Sequence, residues 1–342
     1  MTGFCKETEE ARPIKRALSP GVYTPLPTFF DDDEELDLDS YRKHLLETTR
    51  AGGKPVCAGS LGEAVHLTPE ERIRLISFTR KTLDAEPGLV DVPIVAGVGG
   101  ASTRESVALA RDAARAGADA GMVILPAYYA QSLSSDTSQI VRYYHDICHA
   151  SPIPILLYNF PANSAGQDMS SDTIAQIILS SPGLCGVKLT CSGNIGKLIR
   201  LKSALSPILD RKDFLFLDGF ISDWTAWQAV GGHGTVSGLS NFAPRTVARL
   251  WHLLQKQELT EEETRERDML QAIMSQADTS AVPMGVRGMK YILSIRHGYS
   301  VNPRRPLLPL DEEAGKHFLA KLQPVLAIED RLKKGSSDVV AS

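Results

Sequence analysis

The sequence predicts an α/β fold, a TIM-type (β/α)8 barrel with a C-terminal helical extension, on three observations. Eight short apolar segments recur along the 342 residues, mostly at intervals of roughly 30 residues. The intervals carry the apolar periodicity of amphipathic helices. The segments themselves are nearly all apolar, as expected of parallel strands covered on both faces. Eight such units are typical of a TIM barrel, and a doubly wound sheet is the alternative because a sequence does not display strand order.

The predicted strands are short and alternate with helical patterns. In chain order the strands are GVYTPLPTF (21–29), PVCAGS (55–60), VPIVAGV (92–98), GMVILPA (121–127), IPILLYN (153–159), CGVKLT (185–190), FLFLDG (214–219) and GTVSGL (234–239). The clearest helical patterns lie at 41–52, 68–83 and 103–117. Thr68 before Pro69 is a typical helix start, and Gly52 and Gly117 stand where helices are expected to end.

The chain divides into a barrel and flanking segments. We expect an N-terminal tail at 1–19, the barrel with its active site at 20–256, a helical extension at 257–334 and a second tail at 335–342. Four helical patterns follow the last strand, at 243–255, 259–276, 285–298 and 310–332. The barrel needs only one of them. The acidic stretch DDDEELDLD reads as a solvated loop.

Composition excludes several classes of protein. The formal net charge is −4, so no basic field is present to attract nucleic acid or an anionic membrane. No apolar run is long enough for a transmembrane helix. The five cysteines are odd in number and irregularly spaced without a CxxC pair, which indicates free thiols in a reducing compartment. The N-terminus has no apolar secretory core and carries three acidic residues, so we expect a cytoplasmic protein and keep the mitochondrial matrix as the alternative.

Lys188 is the unusual residue of the sixth predicted strand. Strand alternation places Gly186, Lys188 and Thr190 on the face toward the barrel interior, near the end where TIM-barrel active sites lie. The residues expected on the helix-facing side are Cys185, Val187 and Leu189. A lysine at a strand end can reach solvent, which is the ordinary interpretation. A buried lysine instead has a lowered pKa, and its neutral amine attacks ketones. The pattern therefore favours a Schiff-base lysine.

Tyr158 is the natural partner of this lysine. It ends the preceding strand, and alternation also points it inward, although a strand-end aromatic residue without function is a common alternative. Neighbouring strands lie about 4.8 Å apart, so its hydroxyl could reach the amine. Such a hydroxyl could move the protons that imine chemistry requires.

Two other motifs carry little functional signal. His145 and His149 are four residues apart on a predicted helix and form a conceivable metal pair. A packed or solvated helix face explains them better. The stretch AGVGGASTRE lacks the spacing of a dinucleotide fingerprint. We therefore expect neither a metal nor a separate cofactor.

Six stretches together resemble the dihydrodipicolinate synthase / N-acetylneuraminate lyase family of pyruvate-dependent class I aldolases. They occur in the family's order from about residue 20 to 300 and are GVYTPLPTFF, AGSLGEAVHLTPEER, PAYY, LLYNFPANSAGQDM, GVKLT and GGHGTVSGLSN. The stretch with PAN is most similar to 4-hydroxy-2-oxoglutarate aldolases.

The resemblance implies roles for matching residues. Lys188 would form an imine with the substrate's 2-oxo carbon, and Tyr158 would relay protons. Ser60 and the backbone N–H of Leu61 would bind the pyruvate carboxylate. Tyr129 would reach into a neighbouring subunit's site, which implies a homotetramer built as a dimer of dimers.

The remaining matches concern the substrate. The carbonyl of Val236 would lie beside the site, and Thr190 would bind substrate from the inward face of its strand. Leu61 replaces a polar residue that is common in the family. Asn163 stands where dihydrodipicolinate synthases carry an arginine that clamps a second carboxylate.

The expected activity is the metal-independent cleavage of a 4-hydroxy-2-oxo acid to pyruvate and an aldehyde, without a cofactor beyond the imine on Lys188. The substrate can be 4-hydroxy-2-oxoglutarate or a 2-keto-3-deoxy sugar acid. The alternatives are a dihydrodipicolinate synthase-type condensation, a metal-dependent aldolase and a non-catalytic barrel that binds pyruvate.

Overall fold

Eight parallel strands close into a barrel in a computed structural model, which describes residues 16–206 and 213–340, with side chains described through residue 335. The strands follow one another around the barrel in chain order, and the last pairs with the first. They are β1 (Gly21–Pro25), β2 (Lys54–Cys57), β3 (Val95–Gly97), β4 (Ala120–Ile124), β5 (Ile155–Asn159), β6 (Leu184–Leu189), β7 (Leu215–Asp218) and β8 (Gly234–Val236). The TIM-barrel prediction is confirmed, and closure excludes the doubly wound sheet.

Several strands end earlier than the apolar pattern predicts. The first predicted strand continued to residue 29, but β1 ends at Pro25, because Pro25 and Pro27 have no N–H to donate to a neighbouring strand. The second continued to residue 60, but β2 ends before Ala58, whose φ of 49° leaves the extended region. The residues beyond these ends form the loops that surround the top of the barrel.

Helices alternate with the strands and continue after β8. They are α1 (Leu38–Arg50), α2 (Pro69–Asp84), α3 (Thr103–Ala116), α4 (Ala130–Ser135), α5 (Thr137–Ala150), α6 (Ser171–Ser180), α7 (Asn194–Leu205), α8 (Trp224–Ala229), α9 (Pro244–Leu254), α10 (Glu261–Ala281), α11 (Gly285–His297) and α12 (Glu312–Val340). The Thr68 hydroxyl accepts a hydrogen bond from the N–H of Glu71, and the Thr68 N–H donates one to the Glu71 carboxylate. Gly117 ends α3 with a φ of 102°, which favours glycine.

Two apolar layers build the core. Most buried apolar side chains lie between the strands and the helices. A smaller cluster fills the barrel interior and consists of Tyr23, Val56, Val95, Ala120, Met122, Leu156, Tyr158, Cys185, Leu215, Leu217 and Val236. This arrangement explains why the strands are apolar on both faces.

A bulge changes the predicted faces of β6. Ile155 pairs with Leu184 and Leu156 pairs with Gly186, so Cys185 is the extra residue. Cys185 packs in the barrel interior and not on the helix-facing side, where strict alternation placed it. Beyond the bulge the alternation is as predicted, and Lys188 pairs with Tyr158.

The C-terminal helices pack on one another beside α9. A turn at Val282–Met284 joins α10 to α11. The boundary expected at residue 256 falls between α9 and α10, and position 335 lies inside α12. Residues 1–15 of the expected N-terminal tail lie outside the described residues. Within the described part of the chain, no helix is long and apolar enough to cross a membrane.

Candidate active site

A cavity of about 370 Å³ opens at the carboxyl ends of the strands. Its walls come from the barrel loops and from α10 and α11 of the C-terminal extension. The predicted site residues that line it are Ser60, Leu61, Tyr158, Asn163, Lys188, Thr190 and Val236. Tyr129 does not line it and is 69% exposed beside Tyr128. The cavity thus brings together every predicted site residue except Tyr129.

Lys188 rises from β6 into the floor of the cavity. Its side chain is 5% exposed, and burial lowers its pKa to about 7, since the charged form loses its hydration. The nearby Asp218 opposes this shift, and burial raises the pKa of Asp218 itself well above its ordinary value. Among the described residues no carboxylate lies within ion-pair distance of the amine. A large fraction of Lys188 is therefore neutral and nucleophilic near pH 7.

Tyr158 faces the lysine from the neighbouring strand. The Lys188 Nζ lies 3.8 Å from the centre of the Tyr158 ring. Burial raises the pKa of Tyr158 above its ordinary value, and the nearby hydroxyls of Ser60 and Thr190 oppose the shift. The Thr190 Oγ1 is buried and has no hydrogen-bond partner among the described residues, so its relation to Tyr158 is one of proximity. The phenol remains protonated at neutral pH and can donate a proton to a bound molecule.

The loop after β2 presents Ser60 and Leu61. Ala58 and Glu63 both have positive φ values, 49° and 54°, so the loop turns sharply at each end. The Glu63 N–H donates to the Ser60 carbonyl at 3.2 Å, and the Thr28 hydroxyl donates to the Gly62 carbonyl at 2.7 Å. These contacts fix the loop backbone. A backbone N–H binds a carboxylate well when its position is fixed in this way.

Glu63 and Lys290 form a buried ion pair that the sequence analysis missed. The Lys290 Nζ lies 2.7 Å from Glu63 Oε1, and the side chains are 0% and 1% exposed. Lys290 Nζ also donates to the Asn302 carbonyl at 2.8 Å, and the Arg304 N–H donates to Glu63 Oε2 at 2.9 Å. The pair ties the loop after β2, called here the Ser60 loop, to α11. The sequence analysis missed it because no local pattern connects two residues so far apart in the chain.

The loop after β5 carries Asn163 at the cavity rim. Asn163 lies in an exposed turn, Pro161–Asn163. The Asn159 Nδ2 donates to Asp168 Oδ1 at 2.7 Å, and the Met169 N–H donates to Asn159 Oδ1 at 3.1 Å. These bonds close the base of the loop. A neutral amide therefore stands at the rim where a guanidinium would carry charge.

No metal-binding group of three or more His, Cys, Asp or Glu side chains occurs within residues 16–206 and 213–340. His145 and His149 stack on α5 with ring centres 6.3 Å apart, and His145 contacts Asp146. They lie outside the cavity lining. The chemistry available at the floor of the cavity is that of an amine and of hydroxyls, with the N–H groups of the loop after β2 beside them.

Comparisons with known proteins match almost the whole chain. The profile described as "Dihydrodipicolinate synthetase family" matches residues 18–324. An Emericella nidulans protein named "Probable 4-hydroxy-2-oxoglutarate aldolase, mitochondrial" is 39% identical over 302 residues, 87% of this chain and 93% of that one. An Aspergillus niger protein named "L-threo-3-deoxy-hexylosonate aldolase" is 33% identical over 335 residues, 92% and 97% of the two chains.

Solved structures agree with the fold. A dihydrodipicolinate synthase family protein from Coccidioides immitis superposes with a TM-score of 0.80 at 31% identity and covers 93% of this chain and 99% of that one. A prophage protein of the same family from E. coli K12, solved with pyruvate, gives a TM-score of 0.77 at 24% identity, over 90% and 99% of the two chains. The second likeness concerns the fold alone.

Proposed function

The chain belongs to the dihydrodipicolinate synthetase family, and on that premise we propose that it is a class I aldolase, a carbon–carbon lyase that cleaves a 4-hydroxy-2-oxo acid to pyruvate and an aldehyde. The observation that carries the proposal is Lys188, a buried amine with a pKa lowered to about 7 at the floor of a cavity. The two relatives named as aldolases support the same reaction class.

Lys188 begins the proposed reaction. Its neutral Nζ attacks the C2 carbonyl, and loss of water gives an imine that is protonated. This cation accepts the electron pair of the C3–C4 bond as the bond breaks, and the C4 hydroxyl loses its proton as the aldehyde forms. The resulting enamine takes a proton at C3, and water then releases pyruvate from Lys188. The imine is itself the electron sink, so the steps need no metal or further cofactor.

The other cavity residues act around this imine. Tyr158 lies beside Lys188 on the neighbouring strand, and in this proposal its hydroxyl exchanges protons with the C4 hydroxyl and the departing water. The Ser60 hydroxyl and the Leu61 N–H bind the C1 carboxylate, the Val236 carbonyl borders the imine, and Thr190 contributes a hydroxyl. Leu61 offers no side-chain donor, so its loop binds the carboxylate with one hydrogen bond fewer than a polar residue would give.

A dihydrodipicolinate synthase-type condensation is the second candidate and is disfavoured. That reaction joins pyruvate to an aldehyde that carries its own carboxylate. Asn163 brings no charge to the rim, and a neutral amide binds a carboxylate less well than a guanidinium by roughly 1–3 kcal/mol. We expect cleavage of 4-hydroxy-2-oxo acids to exceed condensation of aspartate semialdehyde at least about 100-fold in kcat/KM.

The test is an assay of pyruvate release with purified protein. Lactate dehydrogenase reports pyruvate from 4-hydroxy-2-oxoglutarate and from 2-keto-3-deoxy-hexonate, with and without a metal chelator. The proposal expects turnover of at least one substrate and no loss with the chelator. Efficient condensation of aspartate semialdehyde with pyruvate, or no cleavage of either acid, would contradict it.

We further propose a homotetramer, built as a dimer of dimers, in which Tyr129 enters a neighbouring subunit's site. The exposed Tyr128–Tyr129 pair, with ring centres 5.0 Å apart, is an unusual apolar surface for an isolated chain. Light scattering should give four times the 37.2 kDa chain mass, and a fully active monomer would exclude this role. For its compartment we propose the cytoplasm, with the mitochondrial matrix as the alternative, and cell fractionation distinguishes the two.

A further inference from the structure

The cavity continues beyond the imine site toward α11. The floor offers Lys188, whereas the distal wall is formed by the first turns of α11 and the turn before it. The distal wall residues are Val282, Met284, Gly285, Val286, Arg287 and Met289. All but Arg287 are apolar or lack a side chain. A substrate held by its C1 carboxylate at the Ser60 loop directs its aldehyde portion away from the floor, so the wall is the surface that can recognise that portion.

Arg287 is the charged group of this wall. Its Nε donates to the Leu308 carbonyl at 2.7 Å and its Nη2 donates to the Pro309 carbonyl at 3.0 Å. Within the part of the chain that the structure describes, its Nη1 has no partner and no carboxylate lies within ion-pair distance. The guanidinium is thus held by its backbone contacts, and its charge is not neutralised by the protein.

Long-range contacts hold the wall in place. Lys290 is one turn along α11 from Arg287, and its buried pairing with Glu63 joins the helix to the Ser60 loop. Met289 reaches the β8 loop, because a Cβ on Gly238 would lie 3.3 Å from Met289 Cε. The guanidinium is therefore placed relative to the carboxylate-binding loop before substrate arrives, which is the preorganisation that specific binding needs.

The neighbouring polar groups favour an anionic tail over a hydroxylated one. A sugar-acid tail carries several hydroxyls, and each buried hydroxyl needs a partner. Asp278 lines the cavity, but it is only 3% exposed, and its Oδ2 accepts a hydrogen bond from the Ile221 N–H at 3.0 Å. Asn163 offers one amide at the rim. Arg287 offers a fixed positive charge, and a guanidinium binds carboxylates with particular strength.

We propose that Arg287 binds the second carboxylate of a dicarboxylic 4-hydroxy-2-oxo acid and makes such acids the preferred substrates. This inference rests on the proposed aldolase function. The carboxylate that Arg287 binds is attached directly to C4, whereas the carboxylate of aspartate semialdehyde lies two carbons further from the reacting aldehyde carbon. The class of substrate is a short 2-oxo acid with a carboxylate at each end and a hydroxyl at C4.

The test compares two substrates with matched variants. Arg287→Gln should lower kcat/KM for 4-hydroxy-2-oxoglutarate about 30- to 300-fold, mainly through KM, and leave 2-keto-3-deoxy-hexonate within about threefold. Arg296→Gln is the control, because Arg296 lies on the same helix, pairs with Asp330 and does not line the cavity. It should change neither substrate more than about threefold. An equal loss for both acids, or no loss for the dicarboxylic acid, would overturn the role of Arg287.

A second measurement uses the unaltered protein. 2-Oxoglutarate should block borohydride trapping of pyruvate at a concentration at least about tenfold lower than 2-oxobutyrate does, because only the former carries the second carboxylate. Equal potency would overturn the inference even if Arg287→Gln did not fold. Absence of any pyruvate adduct on Lys188 would instead show that the aldolase proposal itself has failed.

Discussion

The floor and the distal wall of the cavity are built in different ways. The floor consists of Lys188 and Tyr158, which neighbouring strands of the barrel place opposite each other. The wall consists of α11, which a buried pair between Glu63 and Lys290 ties to the Ser60 loop. Backbone hydrogen bonding thus positions the groups that we propose to react, whereas a few side-chain contacts position the groups that we propose to face the rest of the substrate. Changes to the floor should therefore abolish chemistry, and changes to the wall should alter binding and selectivity.

The largest expected effect is that of Lys188→Met. Loss of the nucleophile should lower kcat at least about 10³-fold. Lys54→Met is a matched control, because burial also lowers the pKa of Lys54, to about 8, but its amine bonds to Ser19 and Pro20 and lies outside the cavity lining. This control should keep kcat within about threefold. Steady-state pyruvate release gives kcat for both variants. Equal losses of kcat would mean that removal of any buried lysine lowers activity, and Lys188 would have no special role.

Tyr158→Phe should lower kcat about 10²-fold or more, the usual scale for a positioned proton-transfer group. Only a hydroxyl is removed, so the melting temperature should change little. Tyr144→Phe provides a control, since Tyr144 is equally buried but donates to the Val123 carbonyl on the helix side of the barrel. A Tyr158 variant that turns over within twofold of wild type would place the proton relay elsewhere.

The wall should respond differently. Lys290→Met leaves Glu63 buried without its lysine partner, which should destabilise the protein by about 3–5 kcal/mol and raise KM about tenfold through the Ser60 loop. The double variant Glu63→Gln with Lys290→Met should recover part of the stability. Denaturant unfolding and substrate titration measure the two effects.

Glu329→Gln separates positioning from general loss of stability. Glu329 is also buried and accepts hydrogen bonds from the Thr246 N–H and hydroxyl at 2.8 and 2.9 Å, on the first turn of α9. The Glu329→Gln variant should have a lower free energy of unfolding and an unchanged KM. A parallel rise in KM for Glu329→Gln and Lys290→Met would show that the Glu63–Lys290 pair has no specific effect on the substrate loop.

The pH dependence of imine formation should reflect the titration of Lys188 at the floor of the cavity. Below a pKa of about 7 the Lys188 amine is mostly protonated, so the rate of imine formation should rise with pH and level off above neutrality. At pH 6 the rate should be about one tenth of the plateau. Rapid-mixing measurement of imine formation with pyruvate tests this prediction. A profile that keeps rising toward pH 10 would indicate a lysine with an ordinary pKa.

Local patterns predicted the barrel and the floor because both depend on short-range periodicity. Eight apolar segments marked the strands. Alternation along β6 beyond Gly186 placed Lys188 on the inward face, and alternation along β5 placed Tyr158 there. The bulge at Cys185 was missed, since it arises from the register between β5 and β6, which no single strand encodes.

The sequence did not predict the distal wall, because the wall also depends on contacts between segments far apart in the chain. The pattern at 285–298 predicted α11, but it could not show that Arg287 lines the cavity. The pairing of Lys290 with Glu63 joins segments far apart in the chain, and both residues read as ordinary surface charges in the sequence. Burial and partnership of such charges follow only from the tertiary fold.

Borohydride trapping with pyruvate tests the role of Lys188 most directly. The protein is incubated with pyruvate, reduced, digested and mapped by mass spectrometry, with Lys54→Met and Lys188→Met treated alongside. A single reduced adduct on Lys188 that persists in Lys54→Met and disappears in Lys188→Met is the expected result. An adduct on another lysine, or no adduct at all in the unaltered protein, would contradict the assignment of Lys188 as the imine-forming residue.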